Sequence, residues 1–323
     1  MSIEPIRTLA ADDLKALDAV IRHHLHSDVA LVRQIAEHLI HSGGKRLRPL
    51  LLLLCARALG YQGHHHHTLA AVVEFIHTAT LLHDDVVDKS DLRRGQKTAN
   101  SLFGNEASVL VGDFIYSRAF QMMVSVNQMK VMEVLADATN VIAEGEVLQL
   151  LNCHDPEVDE SRYLQVIRYK TAKLFESATR LAEILAKVPL PVEEHLATFG
   201  GELGTAFQII DDVLDYSGQL EDLGKNLGDD LAEGKATLPV IRALQTAAPA
   251  QADLLRNAIE QGGGSSLEAV ACIVRDSGAL AYARQRALQF SQSALVHLNQ
   301  ALPPSSYRDA LAQLTLLAVE RTR

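Results

Sequence analysis

The sequence predicts an all-α protein of one domain. Nearly every segment places apolar residues at helical spacing, and almost none alternates as a strand does. Ala and Leu, both strong helix formers, abound, while Trp is absent and aromatics make up only 5%. Breakers fall between the periodic stretches: Gly60, Gly63, Gly95, Gly104, Pro156, Pro189, Pro191, Gly218, Gly228, Gly234, Gly262 to Gly264, and Pro303-Pro304.

Leu14, Leu17, Val20 and Ile21, then Leu31, Ile35 and Leu39, mark early helices that end near Gly43-Gly44. A helix expected from about Arg46 carries the apolar run Leu50 to Leu54, which is bounded by Arg48 and Arg57 and too short to cross a bilayer. His64 to His67 follows Gly60 and Gly63 and reads as a helix-connecting loop with at most weak metal binding. The next helix is expected from Thr68, and later ones near Ser108, Lys130, Glu160, Val192, Thr237, Leu267, Leu280 and Ser306. No stretch has linker composition, so residues 1–323 read as one domain of about a dozen helices.

The 323 residues are 48% hydrophobic and 22% charged, enough for a sizeable core. A net charge of −10 weighs against non-specific nucleic-acid binding. An anionic ligand would have to be held by a local basic cluster or by bound metal. The three cysteines, Cys55, Cys153 and Cys272, form neither a disulfide framework nor a zinc pattern and fit a reducing cytoplasm. The N-terminus shows no basic stretch followed by an apolar one, so no signal peptide is expected.

Chemistry is announced by one acidic pattern written twice: Asp84-Asp85-Val86-Val87-Asp88 and Asp211-Asp212-Val213-Leu214-Asp215. Residues four apart share a helix face, so Asp84 and Asp88 point one way, as do Asp211 and Asp215. Like charges at that spacing repel, and carboxylates among apolar neighbours need neutralising. Mg²⁺ suits a few carboxylates together with water and phosphate oxygens. Two such clusters facing each other would make a polynuclear magnesium site for a diphosphate; each alone could be a solvated acidic turn.

Basic residues stand where a diphosphate needs them. Gly43-Gly44-Lys45-Arg46-Leu47-Arg48-Pro49 puts three cations at a loop-to-helix boundary, where the helix N-terminus also favours anions. Arg93-Arg94-Gly95 follows the first acidic motif; Lys170-Thr171-Ala172-Lys173 is a further element; Lys225 and Lys235 follow the second motif. Each alone could be surface charge, but their alternation with the acidic motifs points to anionic ligands and bridging metals.

The segments GGKRLRP, LLHDDVVD, LRRG, YKTAKLF, GTAFQIIDDVLDY and GKNLGDDLAEGK occur in the order typical of trans-isoprenyl diphosphate synthases, and the chain resembles that family over essentially its whole length. Glu74 to Asp88, Asn140 to Leu150 and Gly204 to Tyr216 look most like its bacterial octaprenyl-forming members. The paired DDxxD motifs with RRG between them are highly specific; no single piece is. One departure is Ala236, where the family often has proline.

The resemblance implies an isoprenoid-synthase-type helical bundle around a central cavity, working as a homodimer, with the helix carrying Val109 to Phe120 either an interface or an ordinary buried helix. It implies that an allylic diphosphate such as farnesyl diphosphate is held through more than one Mg²⁺ on Asp84, Asp85, Asp88, Asp211, Asp212 and Asp215, helped by Arg93, Lys170, Thr171, Gln208, Lys225 and Lys235. Isopentenyl diphosphate would sit on Lys45, Arg48, His77 and Arg94. Ionisation exposes an allylic cation, the isopentenyl double bond attacks it, and proton loss, to the departing diphosphate, leaves a trans product one C5 unit longer. No side-chain nucleophile is expected. His77 is otherwise a core histidine, and His83 a support for its helix.

Product length depends on an apolar tunnel. Ala79 and Thr80, one turn before Asp84, are both small, where short-chain relatives tend to carry aromatics. Phe120, Met123 and Leu135 are candidates for the floor. An octaprenyl (C40) product, suited to quinone side chains, follows from the resemblance; C20 to C35 or C45 products are alternatives. Transient membrane contact would deliver it.

Three rival functions are open to test. A class I terpene cyclase would need no second diphosphate site and would carry an aromatic-rich pocket. A His-Asp phosphohydrolase, suggested by His83-Asp84, would need further ligand histidines. A non-catalytic subunit would usually have lost aspartates that are intact here.

Overall fold

The computed structural model describes residues 2–41, 46–93, 95–217, 228–263 and 266–321. Among them the helices are α1 (Glu4–Leu9), α2 (Ala11–Leu25), α3 (Ala30–His41), α4 (Leu47–Ala58), α5 (His65–Val87), α6 (Ala99–Phe103), α7 (Asn105–Ser125), α8 (Met129–Asn152) and α9 (Glu160–Ile167). A π-helical turn, Arg168–Ala172, joins α9 to α10 (Lys173–Ala186). Then come α11 (Leu190–Ser217), α12 (Asp229–Ala232), α13 (Leu238–Thr246), α14 (Pro249–Gln261), α15 (Leu267–Asp276), α16 (Ala279–Ala301) and α17 (Ser306–Glu320). The strands β1 (Leu92–Arg93) and β2 (Gln96–Lys97) form a small antiparallel hairpin.

A helix that is apolar on every face must be surrounded. Leu50 to Ala56 of α4 are all 1% exposed or less, and α5, α10 and α17 pack around that helix. The amphipathic α10 buries its other contacts against α8 and α11, and α11 lies along α16. The long helices α5 and α11, which carry the two acidic motifs, thus flank a shared centre.

Helix starts lie close to the expected ones, with two informative differences. The histidine tract is not a loop: His64 is the N-cap of α5, and His65 to His67 form its first turn. The reason is packing, because His66 and His67 both reach Asp13 on α2. The second difference is α14, which the breaker pattern did not announce; Pro249 occupies its first turn, where a proline lacks only an N–H that would go unpaired anyway.

Candidate active site

The first acidic motif ends α5, with Asp88 as its C-cap. Asp85 is buried, 4% exposed, and accepts from Arg93 Nε at 2.9 Å and Nη2 at 2.7 Å. The β1–β2 hairpin brings that arginine back, and Asn100 Nδ2 anchors its base on the Asp85 and Ser90 carbonyls. Burial raises the Asp85 carboxyl above its ordinary range; Arg93 opposes this, and Asp84 and Asp88 add to it. Asp88 Oδ2 accepts from Lys235 Nζ at 2.9 Å, and Lys235 also binds Glu233.

The π turn presents Lys170 and Thr171. A π turn inserts a residue into the helical register and is common at functional sites. Lys170 Nζ lies 3.4 Å from Asp84 Oδ2, 2.5 Å from Glu146 Oε2 and 2.7 Å from Gln149 Oε1. Burial alone would lower its pKa, but Asp84 and Glu146 outweigh burial and raise it. The turn fits because its neighbours carry glycine: a Cβ on Gly145 of α8 would fall 2.8 Å from Lys170 N, and one on Gly204 of α11 would fall 2.7 Å from Ala172 Cα.

The second motif lies near the end of α11. Asp212, 3% exposed, accepts from Tyr163 OH at 2.6 Å and from Gln208 Nε2 at 2.8 Å; the Gln208 carbonyl accepts from Thr171 Oγ1 at 2.9 Å. Burial, then the charge of Asp230, pushes the Asp212 carboxyl well up against the opposing bonds from Tyr163 and Gln208. Asp211 accepts from Arg321 Nη2 at 3.0 Å, and that guanidinium also stacks 4.0 Å over the Phe207 ring. Asp84, Asp85, Asp88 and Asp211 thus each meet a different protein cation, while Asp212 is held by Tyr163 and Gln208.

One cleft of about 720 Å³ is lined by Asp84, Asp85, Asp211, Asp212, Asp215, Arg93, Lys170, Thr171 and Gln208. Arg48 and His77 line it too: Arg48 Nη1 donates to His77 Nε2 at 3.1 Å, and its guanidinium lies 4.7 Å over the Phe175 ring. Apolar walls come from Ile21, Leu25, Phe75, Leu81 and Ile115. Asp88 and Lys235 line an adjoining pocket of about 220 Å³ that shares Arg93, Lys170, Thr171, Gln208 and Asp212 with the cleft.

The polyprenyl synthetase family model matches residues 29–275, more than half of the chain. The chain belongs to the polyprenyl synthetase family. It is 52% identical to octaprenyl diphosphate synthase of Escherichia coli K12, covering all of both proteins, and 49% identical to a geranyl-diphosphate-specific all-trans-nonaprenyl-diphosphate synthase of Rhodobacter capsulatus, covering 96% of this chain and 95% of that one. Among solved structures, a Caulobacter crescentus polyprenyl synthase complexed with calcium and isoprenyl diphosphate superposes with a TM-score of 0.96 at 44% identity, covering 100% of this chain and 98% of that one. A decaprenyl diphosphate synthase from Rhodobacter capsulatus gives 0.93, also at 44%, covering all of both.

In this polyprenyl synthetase, Lys45, Arg94 and Lys225 lie outside the described residues. Arg46, beside Lys45, is committed to an ion pair with Asp18. Of the expected tunnel residues, Thr80 lines the cleft, whereas Ala79, Met123 and Leu135 are fully buried away from it and Phe120 packs on Tyr116. Ile21, Leu25 and Ile115 line the cleft as well, though nothing in the linear pattern ties them to a site. His83 turns away from Asp84 and reaches the Val109 carbonyl at 3.2 Å and Asp113 at 3.4 Å, so the His-Asp pair is not a shared ligand set. Glu146, Gln149, Tyr163, Glu233 and Arg321 were missed. Glu146 and Gln149 could have been found from their i, i+3 spacing, which puts both on one face of α8; Arg321 carried no local signal.

Proposed function

We propose that this polyprenyl synthetase is a long-chain trans-prenyltransferase. It condenses isopentenyl diphosphate repeatedly with an allylic diphosphate, and from farnesyl diphosphate it builds all-trans octaprenyl diphosphate for quinone side chains. The observation that carries this reading is the cleft itself: residues of both acidic motifs on α5 and α11, the hydrogen-bonded Arg48–His77 pair and apolar side chains line one space. A terpene cyclase needs only the first and last of these. The C40 length rests on the octaprenyl-forming relative at 52% identity, against 49% for the nonaprenyl one.

The donor set fits hard divalent ions. It consists of carboxylate oxygens, with Asp85 and Asp212 buried and pushed up by burial and by neighbouring charge, the state a cation relieves. Asp84, Asp85, Asp88, Asp211, Asp212 and Asp215 would hold Mg²⁺, which when bound supplies Lewis-acid stabilisation of the leaving diphosphate. Arg93, Lys170 and Lys235, now engaged by these carboxylates, then serve the allylic diphosphate together with Thr171, Gln208 and Lys225. Arg48 and His77, with Lys45 and Arg94, hold the isopentenyl diphosphate. Thr171 and Tyr163 fix Gln208 and Asp212 in place, and the cleft's apolar wall shields the allylic cation from water.

The whole chain acts as one domain. Exposed apolar residues on α7 and α8, among them Leu110, Val147, Leu150 and Leu151, support a homodimer. No helix among the described residues is long and apolar enough to cross a membrane. In this reading the enzyme is cytoplasmic and hands its product to the bilayer. The test is purified protein with Mg²⁺, farnesyl diphosphate and labelled isopentenyl diphosphate, with products sized by chromatography. A C40 product is expected. Cyclic hydrocarbon from farnesyl diphosphate alone, or phosphate release without chain growth, would refute the reading.

A further inference from the structure

We infer that Asp13, His66 and His67 form a second metal site, for a borderline divalent ion such as Zn²⁺, apart from the aspartate motifs. The four-histidine run is the one sequence feature the proposed activity leaves unused. Packing of α2 against α5 converges two of its rings on one carboxylate oxygen: Asp13 Oδ1 lies 3.1 Å from His66 Nε2 and 2.8 Å from His67 Nε2. The ligand atoms all lie within 4.8 Å of one another, and no other trio of His, Cys, Asp or Glu among the described residues meets that condition. A tetrahedral ion with bonds of about 2.0–2.2 Å needs ligand atoms roughly 3.3–3.6 Å apart, so small side-chain shifts suffice.

The surroundings suit a ligand set. Arg57 on α4 grips the same carboxylate, Nε to Oδ2 at 2.8 Å and Nη2 to Oδ1 at 2.5 Å, and ligating carboxylates are themselves normally hydrogen-bonded. His66 is fully buried, whereas the His67 side chain is 17% exposed, so the cluster reaches solvent on the His67 side. Nitrogen and carboxylate ligands favour Zn²⁺, Ni²⁺ or Cu²⁺ over Mg²⁺.

The proton balance limits the affinity. Without metal, each ring donates its Nε2 proton to Asp13. With metal on Nε2, each ring carries that proton on Nδ1 and stays neutral. His66 Nδ1 is buried with no hydrogen-bond partner among the described residues, so its new N–H would be unpaired. Arg57 adds a repelling charge. Both effects weaken binding relative to a dedicated structural zinc site. The site ties α2 to α5, and Ile21 and Leu25 further along α2 wall the cleft. Metal here would hold that wall.

The experiment uses full-length protein without a histidine tag, stripped by chelator and saturated with Mg²⁺. Zinc chloride is titrated calorimetrically, and Co²⁺ serves as a spectroscopic probe. One Zn²⁺ per chain, an intense tetrahedral Co²⁺ spectrum and a raised thermal midpoint are expected. In His67→Gln, which retains Asp13–Arg57, affinity should fall at least about tenfold. His195→Gln, which breaks the surface pair His195–His297, should change nothing. Absent binding in the wild type or unchanged binding in His67→Gln would overturn the site, as would a weak octahedral Co²⁺ spectrum or loss of binding in His195→Gln. If His67→Gln fails to fold, the wild-type Co²⁺ spectrum alone decides.

Discussion

Glu183 on α10 is a carboxyl group in the wrong solvent. It is 1% exposed, and neither of its oxygens has a hydrogen-bond partner among the described residues. Burial, then the charge of Glu193, pushes its pKa from 4.5 to about 9, against the opposing pull of Arg180 and Lys130. The folded protein therefore holds this group protonated at neutral pH. Its contribution is most favourable below the unfolded pKa and is lost steadily as pH rises toward about 9. Each unit of pH in that window removes about 1.4 kcal/mol, so about three units above the ordinary value the loss reaches about 4 kcal/mol. Glu183→Gln removes the proton linkage and leaves a buried amide, which costs about 1–3 kcal/mol at every pH. The variant should be less stable than the wild type at about pH 5 and more stable by roughly 1–3 kcal/mol at about pH 7.5. Urea unfolding followed by far-UV circular dichroism across this range reads the difference. Parallel pH profiles for the two proteins would refute the reasoning. The position matters because α10 continues directly from the turn bearing Lys170 and Thr171.

Asp84→Ala or Asp211→Ala should abolish turnover while leaving the helical circular dichroism spectrum intact; near-normal rates in either would remove the motif from the chemistry. Lys170→Met should lower kcat by about 10²–10³-fold, as expected for loss of a preorganised charge at a departing anion, measured by steady-state kinetics with farnesyl diphosphate. Thr80→Phe puts an aromatic into the cleft wall and should shorten the product, whereas Met123→Ala should lengthen the product distribution, an unchanged profile removing Met123 from the floor; chromatographic product profiles check both. Removing divalent ions with chelator should stop turnover, and adding back Mg²⁺ should restore it.

Much of this protein is legible in its sequence. Helical periodicity alone located most of the long helices, because each buries one stripe and turns the rest outward. The paired motifs and the basic segments near them carried the family, and with it the chemistry. The acidic residues were conspicuous because carboxylates inside apolar helices need a reason. The histidine tract reads as a loop from local composition but folds as a helix start, because its partner, Asp13, is fifty-three residues from His66 in sequence.

By itself the sequence determined the all-α class, the placement of most helices and the two clusters of carboxylates with their attendant cations. These are local properties of spacing and residue type. Tertiary structure alone decided which cation meets which carboxylate: Arg93 on Asp85, Lys235 on Asp88, Arg321 on Asp211. It alone showed that Glu146 shares Lys170 with Asp84, that Ile21 and Ile115 line the cleft while Met123 is buried outside its lining, and that two of four histidines close on Asp13. Those pairings join residues far apart in the chain, and only the packing of the helices brings them within reach of one another.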